Sequence, residues 1–161
     1  MDLIENWTAI RKHFSHSFGS SLHVSIASVD ANNAPTVTPV GTVFLNKDQT
    51  GFYFEKFVST LPKHVAHNNQ ICILAVNSGK FFWLKSLFKA RFDAYPAYRL
   101  YGTLGQRREA TQAEIRALER RMKLTRSLKG HKYLWNDMTK VREIRFNRGE
   151  QINIGKMTQK L

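Results

Sequence analysis

A single cysteine, Cys72, excludes an intrachain disulfide. Its place in the apolar run Ile71-Cys72-Ile73-Leu74-Ala75-Val76 predicts a small buried hydrophobe. No apolar run approaches the roughly 18 residues that a membrane-spanning helix needs. The opening residues, Met1-Asp2-Leu3-Ile4-Glu5, lack the basic start and apolar stretch of a secretory signal, so a soluble, cytoplasmic protein is expected. No repeat, low-complexity tract or linker interrupts the chain, and one domain over residues 1–161 is expected. His13, His16 and His23 are too loosely spaced for a compact metal site and no acidic cluster joins them. No Ser-His-Asp or Cys-His arrangement suggests a nucleophile. Acidic residues are scarce: 12 Asp and Glu stand against 25 Lys and Arg, leaving a net charge of +13.

What remains is a globular composition with an uneven basic surface. Hydrophobic residues make up 42% of the chain and include eleven Phe, enough to build a core. Between Arg107 and Lys132, nine Lys or Arg face only Glu109, Glu114 and Glu119. Such a surface attracts anions, either phosphorylated ligands or nucleic acid. It carries no base-reading signature, so a nucleic-acid-associated domain is the lesser alternative.

Leu3, Trp7, Ile10 and Phe14 recur at helical spacing and predict a helix over 2–16, broken by Gly19-Ser20-Ser21. Leu22 to Val29 alternates as a strand, Asp30 to Ala34 is a turn, and Thr36 to Leu45 is a second strand completing a hairpin. A turn at Asn46 to Gly51 leads into the short strand Phe52 to Glu55. A helix runs from Thr60 to about His67, followed by the central apolar strand Ile71 to Val76 and another strand from Ala97 to Leu104. The aromatic segment Phe81 to Phe88 reads as core or dimer contact, with a lid as the lesser alternative. Thr111-Gln112-Ala113-Glu114 is a capping box that opens a basic helix over 111–129. Val141 to Phe146 and Gln151 to Ile154 read as a final hairpin around Arg148-Gly149. Short strands with flanking helices predict a mainly β fold, a small antiparallel barrel.

Ser59-Thr60-Leu61-Pro62-Lys63 carries the chemistry. Thr60 reads as the helix N-cap, and Pro62 fits a first turn where its missing N–H costs little. Where a capping box would have Glu or Gln, the chain has Lys63. Two hydroxyls and a lysine at a helix start suit a phosphate, although an ordinary capped helix with a solvated lysine has the same residues. On the preceding strand, Thr36, Thr38, Val40, Thr42 and Phe44 share one face by period two, and Gly41 permits close approach of a ligand. Threonine also simply favours strands.

The order of these pieces resembles the FMN-binding split barrel of the pyridoxamine 5′-phosphate oxidase superfamily. The matching segments are Ser25-Ile26-Ala27-Ser28-Val29-Asp30, Ala34-Pro35-Thr36-Val37-Thr38-Pro39-Val40, Gly51-Phe52-Tyr53-Phe54, Ser59 through Val76, and Tyr98-Arg99-Leu100-Tyr101-Gly102. The likeness covers roughly residues 20 to 105. Where the family usually carries a basic pair, this chain has Leu61-Pro62 and then Lys63, and it lacks the Arg-x-His element of the vitamin B6 oxidase. It therefore resembles the flavin-binding relatives rather than that oxidase.

The resemblance implies a six-stranded antiparallel split β-barrel that dimerises, with two FMN sites at the subunit interface. It implies Ser59, Thr60 and Lys63 on the FMN phosphate, and Val40, Gly41, Thr42, Glu55 and Lys56 near the ring or ribityl chain, with Thr42 and Lys56 as candidate donors toward the flavin. The implied activity is an FMN-dependent oxidoreductase exchanging hydride at flavin N5, with no acid or base identified. The alternative is a non-catalytic flavin or haem carrier of the same fold, for which His64 or His67 would be the candidate haem ligands.

Overall fold

Buried and half-buried residues alternate strictly along Val24–Val29 and from Ile71 to Val76, the mark of strands with one face on a core. The computed structural model describes residues 1–161. Its strands are β1 (Val24–Val29), β2 (Pro35–Val40), β3 (Val43–Leu45), β4 (Thr50–Phe54), β5 (Gln70–Val76), β6 (Ala97–Glu109) and β7 (Lys140–Gln151). The helices are α1 (Leu3–Ser21), α2 (Thr60–Val65), α3 (Lys80–Phe88), α4 (Gln112–Arg121) and α5 (His131–Trp135). None is long and apolar enough to cross a membrane.

All strand pairs are antiparallel, in the order β2-β1-β5-β6-β7-β4-β3. The two edge strands, β2 and β3, are separated in sequence only by Gly41 and Thr42. Three Cα steps reach at most about 11 Å, so the sheet has to curl until its edges approach. The architecture is thus the expected mainly β, curled antiparallel sheet with flanking helices, but it has seven strands rather than six. The additional strand arises because the run 36–45 breaks in two. Thr42 turns inward, and its hydroxyl accepts from the Phe54 N–H and donates to the Phe54 carbonyl, both at 3.2 Å. Side-chain bonds replace the ladder at that point.

The inner face, with Ile26, Ile73, Leu100 and Tyr53, joins Trp7, Ile10 and Phe14 of α1 in the main core. On the outer face Phe52, Phe54 and Val141 pack under Leu118 and Met122 of the α4 region. Three boundaries differ from the sequence reading. α1 continues through Gly19 to Ser21 and stops at Leu22, whose φ of 63° ends the helix while its N–H bonds the Phe18 carbonyl. β7 is one unbroken strand through Arg148-Gly149, not a hairpin. The basic segment contains α4, a 3₁₀ turn at Lys123–Thr125 and α5 rather than one helix over 111–129. Its capping box forms as expected, with Thr111 Oγ1 accepting from the Glu114 N–H and Glu114 Oε2 accepting from the Thr111 N–H.

Gly102 lies at a register shift between β6 and β7, where a Cβ would stand 2.3 Å from the Arg145 carbonyl oxygen. Gly102→Ala should therefore lower stability by about 2–3 kcal/mol in urea unfolding, since the backbone of both strands has to shift. His13 of α1 is buried, with Nε2 3.0 Å from the Ala75 carbonyl, and burial holds its pKa below the ordinary 6.5. Above that pH the ring is neutral whether folded or not and adds no slope. Below it, the unfolded chain takes up the proton first and stability falls with pH. His13→Gln should flatten the stability loss between about pH 6.5 and 5.5; an unchanged slope would contradict this account.

Candidate functional site

The β2–β3 turn, the end of β4 and the end of α5 meet at one end of the sheet. Thr42 is bonded to Phe54, as above. Gly41 is closely packed: a Cβ there would lie 3.0 Å from the Leu22 carbonyl and 3.9 Å from Cη2 of Trp135. The ammonium of Lys56, two residues past Phe54, donates to the Asn136 carbonyl and lies 5.2 Å from the Phe57 ring centroid. Val40 is buried in the main core. Val40, Gly41, Thr42 and Lys56 therefore gather with Trp135 and Asn136, as a strand turn beside β4 requires.

Glu55 occupies the same end but faces inward. Its carboxylate is nearly fully buried and forms a two-pronged pair with Arg142, whose terminal nitrogen donates to Oε1 at 3.0 Å and whose Nε donates to Oε2. Arg107 Nε sits 3.1 Å from Oε1, and the Tyr53 hydroxyl donates to Oε2 at 2.7 Å. Register explains the cluster: Tyr53 pairs with Arg142 and Arg142 with Arg107 across three neighbouring strands. Burial and the adjacent carboxylate push the Tyr53 phenol well above its ordinary value, so it stays a neutral donor. The carboxylate of Glu55 is fully engaged, and two guanidiniums face one carboxylate.

Ser59 and Thr60 lead into α2, with Ser59 rather than Thr60 at the N-cap position and no side-chain cap bond. Neither hydroxyl has a hydrogen-bond partner in the protein, and exposed Lys63 has no ion pair. Spacings of three and four residues put Lys63 on the helix face of Thr60 and Ser59. What fixes α2 is Leu61, wholly buried, together with His64, whose Nδ1 is 2.9 Å from Ser28 Oγ. Ser28 Oγ is in turn 3.3 Å from Thr36 Oγ1. The hydroxyl-bearing face of β2 thus pairs with the inner face of β1 and anchors α2, leaving Ser59, Thr60 and Lys63 as unused polar groups at the surface.

No family model and no curated protein matches the sequence. Solved structures do match its shape. An FMN-binding protein from Syntrophomonas wolfei superposes with a TM-score of 0.59 at 8% identity, covering 93% of this chain and 94% of that one. A Listeria innocua protein provisionally assigned as a pyridoxamine 5′-phosphate oxidase gives 0.55 at 15% identity, over 95% and 100% of the two chains. HutZ, the haem storage protein of Vibrio cholerae, gives 0.55 at 10% identity, over 89% and 92%. The chain shares the fold of these three structures, a curled antiparallel sheet with flanking helices.

Within this fold, sequence reasoning missed Arg107, Arg142, Trp135 and Asn136. Arg142 was detectable in part, since it falls two residues before inward-facing Ile144 and four before Phe146. The aromatic segment resolves as α3, and it is not core: Phe81 and Phe88 are 80% and 94% exposed, while Phe82 and Trp83 pack on Phe92. Cys72 is half-buried on the outer face, not enclosed, and burial raises its thiol pKa. Arg121 leaves the basic surface altogether. It lies 3.4 Å from the Phe44 ring centroid, donates to the Val43 carbonyl at 2.6 Å, and is lowered to about 10 by burial.

Removing one member of the Glu55 pair leaves buried charge unmatched. Glu55→Ala should cost about 3–5 kcal/mol, and Glu55→Ala with Arg142→Met should cost clearly less than the two single changes summed. Additive losses in urea unfolding would contradict the pairing.

Proposed function

We propose that the protein is an FMN-binding flavoprotein that works as a homodimer with the cofactor at the subunit interface, and that it is an oxidoreductase. The observation that carries this reading is the group of unused donors at the surface, the Ser59 and Thr60 hydroxyls and the Lys63 ammonium, on a helix pinned to the sheet by Leu61 and His64. A phosphate with two negative charges fits that donor set, because each charge-assisted bond replaces one to water without burying an unpaired group. Val40, Gly41, Thr42, Glu55 and Lys56 form the floor toward which the rest of the cofactor would extend.

Hydride exchange at flavin N5 is the chemistry FMN supplies when bound. The chain's part is to bind and orient. Thr42 holds the β2–β3 turn in place through Phe54, and its hydroxyl is committed there. Lys56 holds Asn136 and supplies positive charge at the floor. Glu55 offers no free base, since Arg142 and Arg107 occupy its oxygens. Turnover on this reading needs no protein acid or base. The outer face of β2, β1 and β5 supports a dimer: Val37 is exposed, Ala27, Cys72 and Leu74 are half-buried, and none belongs to either core cluster. Of the two candidate haem ligands, His64 is buried with its Nδ1 tied to Ser28, which leaves exposed His67 alone for a haem-carrying role.

The test is an FMN titration followed by flavin fluorescence quenching. Thr60→Ala with Lys63→Ala should weaken FMN binding by about 100-fold while the unfolding midpoint stays near that of the parent. Removing exposed Arg116, Arg120 and Arg126 together should change FMN affinity by less than about threefold. Unchanged affinity in the first variant, or collapse in the second, refutes the phosphate assignment.

A further inference from the structure

The segment between β6 and β7 holds a feature that the flavin reading does not use. α4, the 3₁₀ turn and α5 wrap a cavity of about 890 Å³. That is within the usual range for small-molecule sites, about 300–1,000 Å³. Its floor is apolar: Ile115, Leu118, Met122, Trp135 and Met138 line it. Leu118, Met122 and Met138 belong to the second core, so this wall is rigidly backed by Phe52 and Phe54 of β4. Two helices that merely packed together would bring their apolar side chains into contact. Here Leu128 and Tyr133 line the cavity and remain 61% and 69% exposed.

The rim has a definite sign. Lys123, Arg126, Lys129 and Lys132 line the cavity, against Glu119 and Asp137. None of the four cations forms a salt bridge, whereas Arg108, nearby in sequence, is consumed by Glu114 and Glu143. The connection is held in shape by Thr125 Oγ1, which donates to the Met122 carbonyl and lies 3.1 Å from His131 Nδ1. An apolar floor with an aromatic wall and an unpaired cationic rim selects a ligand with both characters.

We propose that the cleft between α4 and α5 binds an organic anion with a flat apolar body, its rings against Trp135 and Met138 and its acidic group on Lys123 and Arg126. This ligand site stands apart from the flavin. Its place gives it a role in addition, which does rest on the flavin reading. Trp135 packs beside Gly41 and Asn136 accepts from Lys56. An occupant of the cleft is therefore separated from the proposed flavin floor by the Trp135 side chain alone, and its binding is felt at that floor through Trp135 and Asn136.

The probe pair is 1-anilinonaphthalene-8-sulfonate and N-phenyl-1-naphthylamine, which share one aromatic body and differ by the sulfonate. On the full chain, the sulfonate should bind at one site with emission sensitised by tryptophan, and the neutral analogue should bind at least about tenfold more weakly. Lys123→Glu with Arg126→Glu should weaken the sulfonate by about tenfold or more. Trp135→Phe should remove most of the sensitised emission. Equal binding of the neutral analogue, or wild-type affinity in the charge-reversed protein, overturns the proposal. So does loss of the signal on Phe81→Ser with Phe88→Ser, which would move the probe to α3. FMN titration of the same proteins separates the two readings. FMN retained with no sulfonate site overturns the cleft alone, and a sulfonate site without FMN supports the cleft and refutes the flavin. Displacement of the sulfonate by FMN, one for one, would make the cleft itself the flavin site and overturn a separate ligand.

Discussion

β2 and β3 stand at opposite ends of the strand order, yet Gly41 and Thr42 are all that separates them in the chain. That tether converts a seven-stranded sheet into a curled one, and most of the remaining structure answers to it. Curling encloses an inner face too narrow for more than side chains, which Ile26, Ile73 and Leu100 fill and α1 closes with Trp7, Ile10 and Phe14. It also brings the β2–β3 turn, the end of β4 and the loop before α2 to one rim. Thr42 secures the turn through both polar groups of Phe54. The candidate site is thus tied to closure: the two-residue link between the edge strands is also what Thr42 fixes to Phe54, 12 residues on.

Charge is sorted by the same geometry. Cations facing inward are neutralised or packed, as with Arg142 on Glu55 and Arg121 on Phe44. Of those facing outward, Arg108 and Lys140 meet carboxylates, whereas Lys63 and the cations around α5 form no ion pair. A chain with roughly twice as many basic as acidic residues cannot pair its surface. The excess is concentrated beside apolar walls, an arrangement suited to anions that carry rings rather than to a bare phosphate backbone.

Much of this was legible in the sequence, and the failures have physical causes. The alternation of Ser25 to Val29 and the apolar run Ile71 to Val76 announced their strands, and Thr111 to Glu114 announced the start of α4, because each signal is local. The break at Gly41-Thr42 was hidden, since Thr42 stays buried and the period of two in the sequence runs on through Val40, Thr42 and Phe44. Arg148-Gly149 looked like a turn, but the glycine serves a different need: a Cβ there would stand 2.7 Å from Met1 Cε and 2.9 Å from Leu3 Cδ1, where the start of α1 crosses β7. Glu55 was placed near the ligand by motif alone. Its partner Arg142 lies 87 residues away, and no local pattern can reveal that pairing. The grouping of Ser59, Thr60 and Lys63 at the start of α2 was readable because spacing within one short helix is set by the sequence itself.

β6 and β7 remain paired as far as Glu109 and Lys140, which also share an ion pair across the ladder. Everything between those two residues leaves the sheet and returns to it at a single point. In topological terms α4 and α5 form one long loop whose ends are fixed together, and no strand register depends on how that loop is arranged. The loop still touches the rim, through Trp135 at Gly41, Asn136 at Lys56 and Arg121 at the Val43 carbonyl, so it is the stretch around exposed Leu128 and Tyr133 that can change length or shape without moving the rim. One sheet can in this way keep its closure fixed and still carry different clefts on the same pair of strands.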